Sequence, residues 1–173
     1  MNNDFCFDLE NNKIYIKYIY GSITNITIEN YLKRIEEIKV QKKLKNLEIA
    51  IIPQSLVYST DHLNWAIFIT KHRISDKLNV SNDLNKEMLL TINCTDQLSK
   101  LEKLVYDKDH FICFISKKKI SEKETNYFLF KNFIEKKITS KSFNKKEIIK
   151  KYNLKSQSEI SEIIEKMSQR SIK

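Results

Sequence analysis

In 173 residues the chain has one glycine, Gly21, and one proline, Pro53. Phosphate-cradling turns need several glycines, because only bare backbone can approach a pyrophosphate closely, so a P-loop and a dinucleotide fingerprint are both excluded. The three cysteines, Cys6, Cys94 and Cys113, are odd in number and far apart, with no CxxC pair and no histidine at ligand spacing. That pattern argues against a disulfide framework and a zinc site, and reads as reduced, mostly buried thiols. There is no GxSxG elbow, no HExxH pair and no closely spaced carboxylate pair with a partner. His62 falls in the first turn of a helical pattern, His72 near its last turn and His110 at a strand start; lone histidines in such places are usually structural. The expectation is a chain with no catalytic residues, no metal and no cofactor. No run approaches the roughly 18 to 20 apolar residues that would span a bilayer. The first residues, MNNDFCFDLENN, lack the basic start and apolar segment of a secretory signal. The expected location is the cytoplasm, with no membrane partner.

What is present is charge, unevenly placed. The net charge is +9; residues 1–100 hold 13 Lys/Arg against 12 Asp/Glu, and residues 101–173 hold 18 against 10. The excess in the C-terminal part fits either a lysine-rich solvated surface or a face turned to RNA.

Hydrophobic periodicity gives the elements. Lys13–Tyr20 (KIYIKYIY) reads as a strand ending in a turn at Gly21, and Thr24–Ile28 as a short extended piece. Glu29–Leu44 reads as an amphipathic helix with Tyr31, Leu32, Ile35 and Ile38 inward. Leu47–Ile52 and His110–Ile115 read as further strands. Asp61–Ile74 places Leu63, Ala66, Ile67, Thr70 and Ile74 on one side of a helix and Trp65, Phe68 and Ile69 on another, so it needs neighbours on two faces. Ser59 or Thr60 is its expected N-cap. Asp83–Asn93 repeats the behaviour, with Leu84, Met88, Leu89 and Ile92 on one face and Leu90 beside Glu87 on the other. A third helix is expected to carry Leu98, Leu101, Leu104 and Val105 inward.

Two capping signals follow. Ser121-x-x-Glu124 predicts a helix through Tyr127, Phe130, Phe133, Ile134 and Ile138, and Asn144-x-x-Glu147 a short one through Tyr152. A last helix bears Ile160, Ile163, Ile164 and Met167. No repeat or linker divides the chain. The expected fold is α/β: a single domain over residues 1–173, with a small mixed β-sheet covered by several α-helices and the Asp61–Ile74 helix central.

The middle of the chain, with His62-Leu63-x-x-Ala66-Ile67, Asn79-Val80-Ser81-Asn82, Glu87-Met88-Leu89-Leu90 and then Gln97-Leu98, resembles the small Cgi-type subunit of the KEOPS complex, the family of the PRPK-binding protein. The match in order and spacing covers about forty to fifty residues. Where the family pattern has Gly and Arg in the last loop, this chain has Cys94 and Asp96. The resemblance implies a non-catalytic subunit of a tRNA-modifying assembly that makes N6-threonylcarbamoyladenosine. Such a subunit binds the small atypical kinase of the complex and holds the tRNA by its 3′ end, while another subunit does the chemistry. Lysines, amides and hydroxyls on a loop between helices suit such an end, so the candidate RNA-facing residues are Lys71, Arg73, Asn79, Ser81, Asn82, Lys86 and Gln97, and the expected kinase-facing residues are Leu101, Leu104 and Val105. Asp96 in place of an arginine removes a phosphate-pairing cation. The alternative is a protein-binding adaptor for a kinase without RNA contact.

Overall fold

Strand β2 (Asn12–Ile23) carries the sheet: alternate residues Ile14, Ile16 and Tyr18 are buried, and beyond Ile19 the strand is buried on both faces. In this computed structural model, which describes residues 4–9, 11–101, 108–154 and 159–169, β2 pairs antiparallel with three strands. They are β1 (Asp4–Leu9), β4 (Asp109–Ser116) and β5 (Phe133–Lys136). The registers, with Cys6 opposite Tyr15, Tyr18 opposite Cys113 and Ser22 opposite Ile134, put β4 on one edge of β2 and β1 and β5 end to end along the other. Strand β3 (Glu48–Pro53) lies beyond β4, so the order is β1-β2-β4-β3 with β5 attached to β2. The fold is α/β, a small five-stranded sheet with α-helices.

Gly21 does not end the strand, as its sequence context suggested. The strand runs on to Ile23, and glycine is required there by a close approach of β5: a Cβ at Gly21 would lie 2.2 Å from the Ile134 carbonyl oxygen. The helix expected from Ser121 to Ile138 is the clearest correction. Its capping box forms, with Ser121 and Glu124 bonded reciprocally, but helix α4 stops after Glu122–Asn126. Phe133 and Ile134 then pair with β2 instead, because a strand edge offers their backbone partners and Phe133 a place in the core. Strand β1 had no counterpart in the sequence reading.

The chain groups into two compact units, Met1–Ile51 with Lys108–Ile138, and Ile52–Asp107 with Thr139–Lys173. In the first, helix α1 (Ile28–Gln41), capped by the Thr27 hydroxyl, turns Tyr31 and Ile35 onto Ile19, Ile51, Ile112, Phe114 and Phe128. The Tyr31 hydroxyl, buried with its ring, donates to the Phe128 carbonyl at 2.7 Å.

In the second unit, helix α2 (Thr60–Ser75) is capped by Ser59, as expected, and packs against both α3 (Leu84–Ile92) and α6 (Glu159–Gln169). Its two-sided apolar pattern is met by those two neighbours: Leu63, Ala66, Ile67 and Ile69 are buried, Phe68 is half-buried and Trp65 remains 42 % exposed. Helix α5 (Lys145–Tyr152) turns Ile148 and Tyr152 inward and presents Lys145, Lys146, Lys150 and Lys151 to solvent. In place of the first part of the expected third helix there is a single 3-10 turn, Leu98–Lys100. Leu98 is exposed and Leu101 buried there; Leu104 and Val105 lie outside the described residues. No described helix is long and apolar enough to cross a membrane.

Candidate functional site

Helix α2 ends by giving Lys77 a left-handed conformation, φ 59°, so that the Leu78 N–H returns to the Arg73 carbonyl at 2.8 Å. This Schellman-type closure turns the chain into the loop that precedes α3. The loop is held from inside. The Arg73 guanidinium, 4 % exposed, donates from Nε to Glu87 Oε1 at 3.2 Å and from a terminal nitrogen to the Leu78 carbonyl at 2.6 Å. The other Glu87 oxygen accepts the backbone N–H groups of Val80 and Ser81, both at 3.0 Å. Glu87 is fully buried, and a carboxylate taken out of water needs this number of donors to be tolerated.

The same guanidinium reaches a second loop, donating to Asp96 Oδ1 at 3.3 Å. Helix α3 closes like α2: Cys94 takes the left-handed position, φ 50°, and the Thr95 N–H returns to the Leu90 carbonyl. Glycine suits that position best, since it has no Cβ to strain. A third segment joins on the far side, where Lys151 of α5 donates to Asn93 Oδ1 and the Tyr152 hydroxyl to the Ile92 carbonyl.

Arg73 thus ties the two loops together, and Lys151 and Tyr152 tie the end of α5 to the end of α3. Asn82, Lys86 and Gln97 are exposed, and Lys71, Asn79 and Ser81 are half-buried. Asn79 Nδ2 donates to the Ser81 carbonyl and to Asn82 Oδ1, and Ser81 Oγ accepts from the Asp83 N–H, so these side chains shape the loop as well as line it. Arg73 is corrected: a buried guanidinium committed to Glu87, the Leu78 carbonyl and Asp96 braces the loops and does not present itself to a phosphate. Leu101 is also corrected, because a side chain 9 % exposed belongs to the core, not to a docking face.

Glu87 was missed as a site residue, although a carboxylate flanked by Met88, Leu89 and Leu90 on a helix that needs burial already calls for a buried cation. Lys151 could not have been found, because nothing local links α5 to α3. The three histidines sit in unlike settings. His62 is fully buried, accepts the Tyr58 N–H at Nδ1 and so carries its proton at Nε2; burial, helped by the Lys151 charge, pushes it down to about 3. His72 pairs with Asp76 at 3.0 Å, and His110 Nδ1 faces the Lys108 carbonyl. Among the described residues no group of three His, Cys, Asp or Glu could hold a metal ion. No protein-family model matches this chain, and no curated protein matches it.

Proposed function

We propose that this chain is the Cgi-type subunit of a KEOPS assembly: non-catalytic, bound to the small atypical kinase, and holding tRNA by its unpaired 3′ end. The carrying observation is the Arg73–Glu87 brace, which ties together the two loops that bear the resemblance, Asn79–Asn82 and Asp96–Gln97, while Lys151 of α5 bonds Asn93 at the end of α3. A single-stranded end exposes base edges and phosphates together, and amides beside lysines are the groups that hold them. The RNA-facing residues are Lys71, Asn79, Ser81, Asn82, Lys86 and Gln97, joined by Lys150 and Lys151. With Leu101 in the core, the kinase-facing anchor in that segment is the exposed Leu98.

Gel-shift titration of full-length and 3′-truncated tRNA over a range of salt tests the RNA part. Truncation is expected to cost most of the affinity, and affinity to fall steeply with salt. Equal binding of both tRNAs rejects it. The second reading, a kinase adaptor without RNA contact, is favoured by exposed Leu78, Val80 and Leu98 on the same loops. Charge reversal at Lys86 leaves an adaptor's kinase binding intact.

A further inference from the structure

The sheet ends differently on its two sides. At one end β3 is covered, with every residue from Ile49 to Pro53 buried. At the other, β1 is the terminal strand of the order β1-β2-β4-β3, and its outer edge pairs with no described strand. Alternate residues of such an edge point their N–H and C=O groups outward, a row of donors and acceptors open to a further strand. The register with β2 sorts the side chains by face. Phe5 and Phe7 lie opposite Ile16 and Ile14, which are 1 % and 3 % exposed, so an apolar row runs from β2 out to the edge. The row stops there with Phe5 still 42 % exposed, its ring centroid 6.4 Å from that of Phe7. On the opposite face stand Asp4, Cys6 and Asp8, all exposed. Lys17 and Lys13 oppose the two aspartates in register, yet neither carboxylate is held in an ion pair or hydrogen bond among the described residues. The Lys13 ammonium lies instead over the Tyr15 ring, 5.9 Å from its centroid.

We propose that β1 is a docking edge for strand addition, and that its occupant is an extended basic segment of a partner protein. Backbone bonds to the open edge supply affinity, and side chains at alternate positions supply selection. Directly opposite residues share a face, so the segment carries lysine or arginine opposite Asp4 and Asp8, and β-branched or aromatic residues opposite Phe5 and Phe7. Its pattern is therefore basic, apolar, any residue, apolar, basic, and it reads the same for parallel and antiparallel entry. Such a segment neutralises both carboxylates and completes the apolar row. A second copy of this chain fits the edge worse. Pairing β1 with β1 sets further carboxylates on the same face, with Asp4 opposite Asp8 when Cys6 meets Cys6, and like charges across a strand pair are destabilising. This inference does not depend on the proposed function and uses none of its residues.

The probe is a fluorescein-labelled peptide, Ser-Lys-Val-Thr-Val-Lys-Ser, titrated with the full-length protein at low salt and followed by anisotropy. Beside it run the same peptide with both lysines changed to glutamate and the same peptide with N-methylated backbone nitrogens. The lysine peptide is expected to bind about tenfold more tightly than the glutamate peptide, and N-methylation to abolish binding. Bound peptide should slow amide exchange in Asp4–Leu9 and leave Glu48–Pro53 unchanged. Asp4→Asn combined with Asp8→Asn should bring the two charged peptides to equal affinity. If that variant does not fold, the wild-type comparison still decides. Equal binding of the lysine and glutamate peptides to the wild type, or no saturable binding of the lysine peptide, overturns the proposal. So does a dimer in sedimentation whose formation alone slows exchange in β1, since that gives the edge to a second copy.

Discussion

Arg73 and Glu87, fourteen residues apart on consecutive helices, meet at 3.2 Å with side chains 4 % and 0 % exposed. Each charge has a replacement for water: Arg73 has three acceptors on Glu87, Leu78 and Asp96, and Glu87 has two backbone donors besides the guanidinium. The pair is therefore a local folding constraint, and it sets the shape of the surface that the loops present.

Removing one partner leaves the other buried and unpaired. Arg73→Met and Glu87→Leu are each expected to cost about 3–5 kcal/mol, and the double variant less than either, because a matched apolar pair carries no desolvation penalty. Urea denaturation of the three variants measures this. A double variant as unstable as the sum of the singles would contradict it.

His62 makes stability depend on pH. Its folded value, about 3, is below its usual 6.5, so between those values the unfolded chain binds a proton that the folded chain does not. Above pH 6.5 the group contributes no slope; below it, stability falls by about 1.4 kcal/mol per pH unit until the folded group itself titrates near pH 3. His62→Gln keeps an acceptor for the Tyr58 N–H and is expected to flatten that part of the curve, as followed by thermal melts between pH 4 and 7.

Asp109 titrates in a lower range. Burial raises its carboxyl, but the bonds from Lys136, Ser22 and Tyr20 outweigh it and the net direction is down. Its stabilisation is therefore complete above the ordinary carboxylate range and is lost as pH falls through the lowered folded value. Asp109→Asn should be less stable at pH 7 and should lose less on acidification than the wild type, as read from denaturant midpoints at pH 7 and pH 3.

Gly21→Ala places a methyl group 2.2 Å from the Ile134 carbonyl and 2.7 Å from the Phe133 ring. Since the nearest obstacle is backbone, β5 has to move. The expected loss is about 1–3 kcal/mol or more, with faster amide exchange at Phe133–Lys136.

On the proposed tRNA role, Asp96→Arg installs the cation found in the KEOPS-subunit pattern that the chain resembles and is expected to tighten tRNA binding. Asp96 also accepts from Arg73, so the new arginine meets a like charge there. Because Arg73 is 4 % exposed and loses one of its acceptors, the variant is also expected to be less stable, as read from its urea midpoint. Tighter binding at low salt with a steeper salt slope is the expected result of a filter-binding titration, and weaker binding would contradict a phosphate near this loop.

Periodicity and caps determined what local physics controls. The helices α1, α2, α3, α5 and α6, the Ser59 cap, the Ser121–Glu124 box and the strands at Lys13, Leu47 and His110 were legible because apolar spacing and side-chain-to-backbone bonds act within a few residues. What lay beyond reach depends on partners distant in sequence. Phe133–Lys136 is a strand only because β2 offers it an edge, β1 forms for the same reason, and Gly21 is glycine because β5 crosses it closely rather than because the chain turns. The candidate surface divides in the same way. Its loop residues could be named from their order, but whether a named side chain faces solvent or the interior is settled by packing. Arg73 reads in sequence as one more surface cation; beneath its loop lies a buried carboxylate, and pairing with that carboxylate replaces the water both charges gave up.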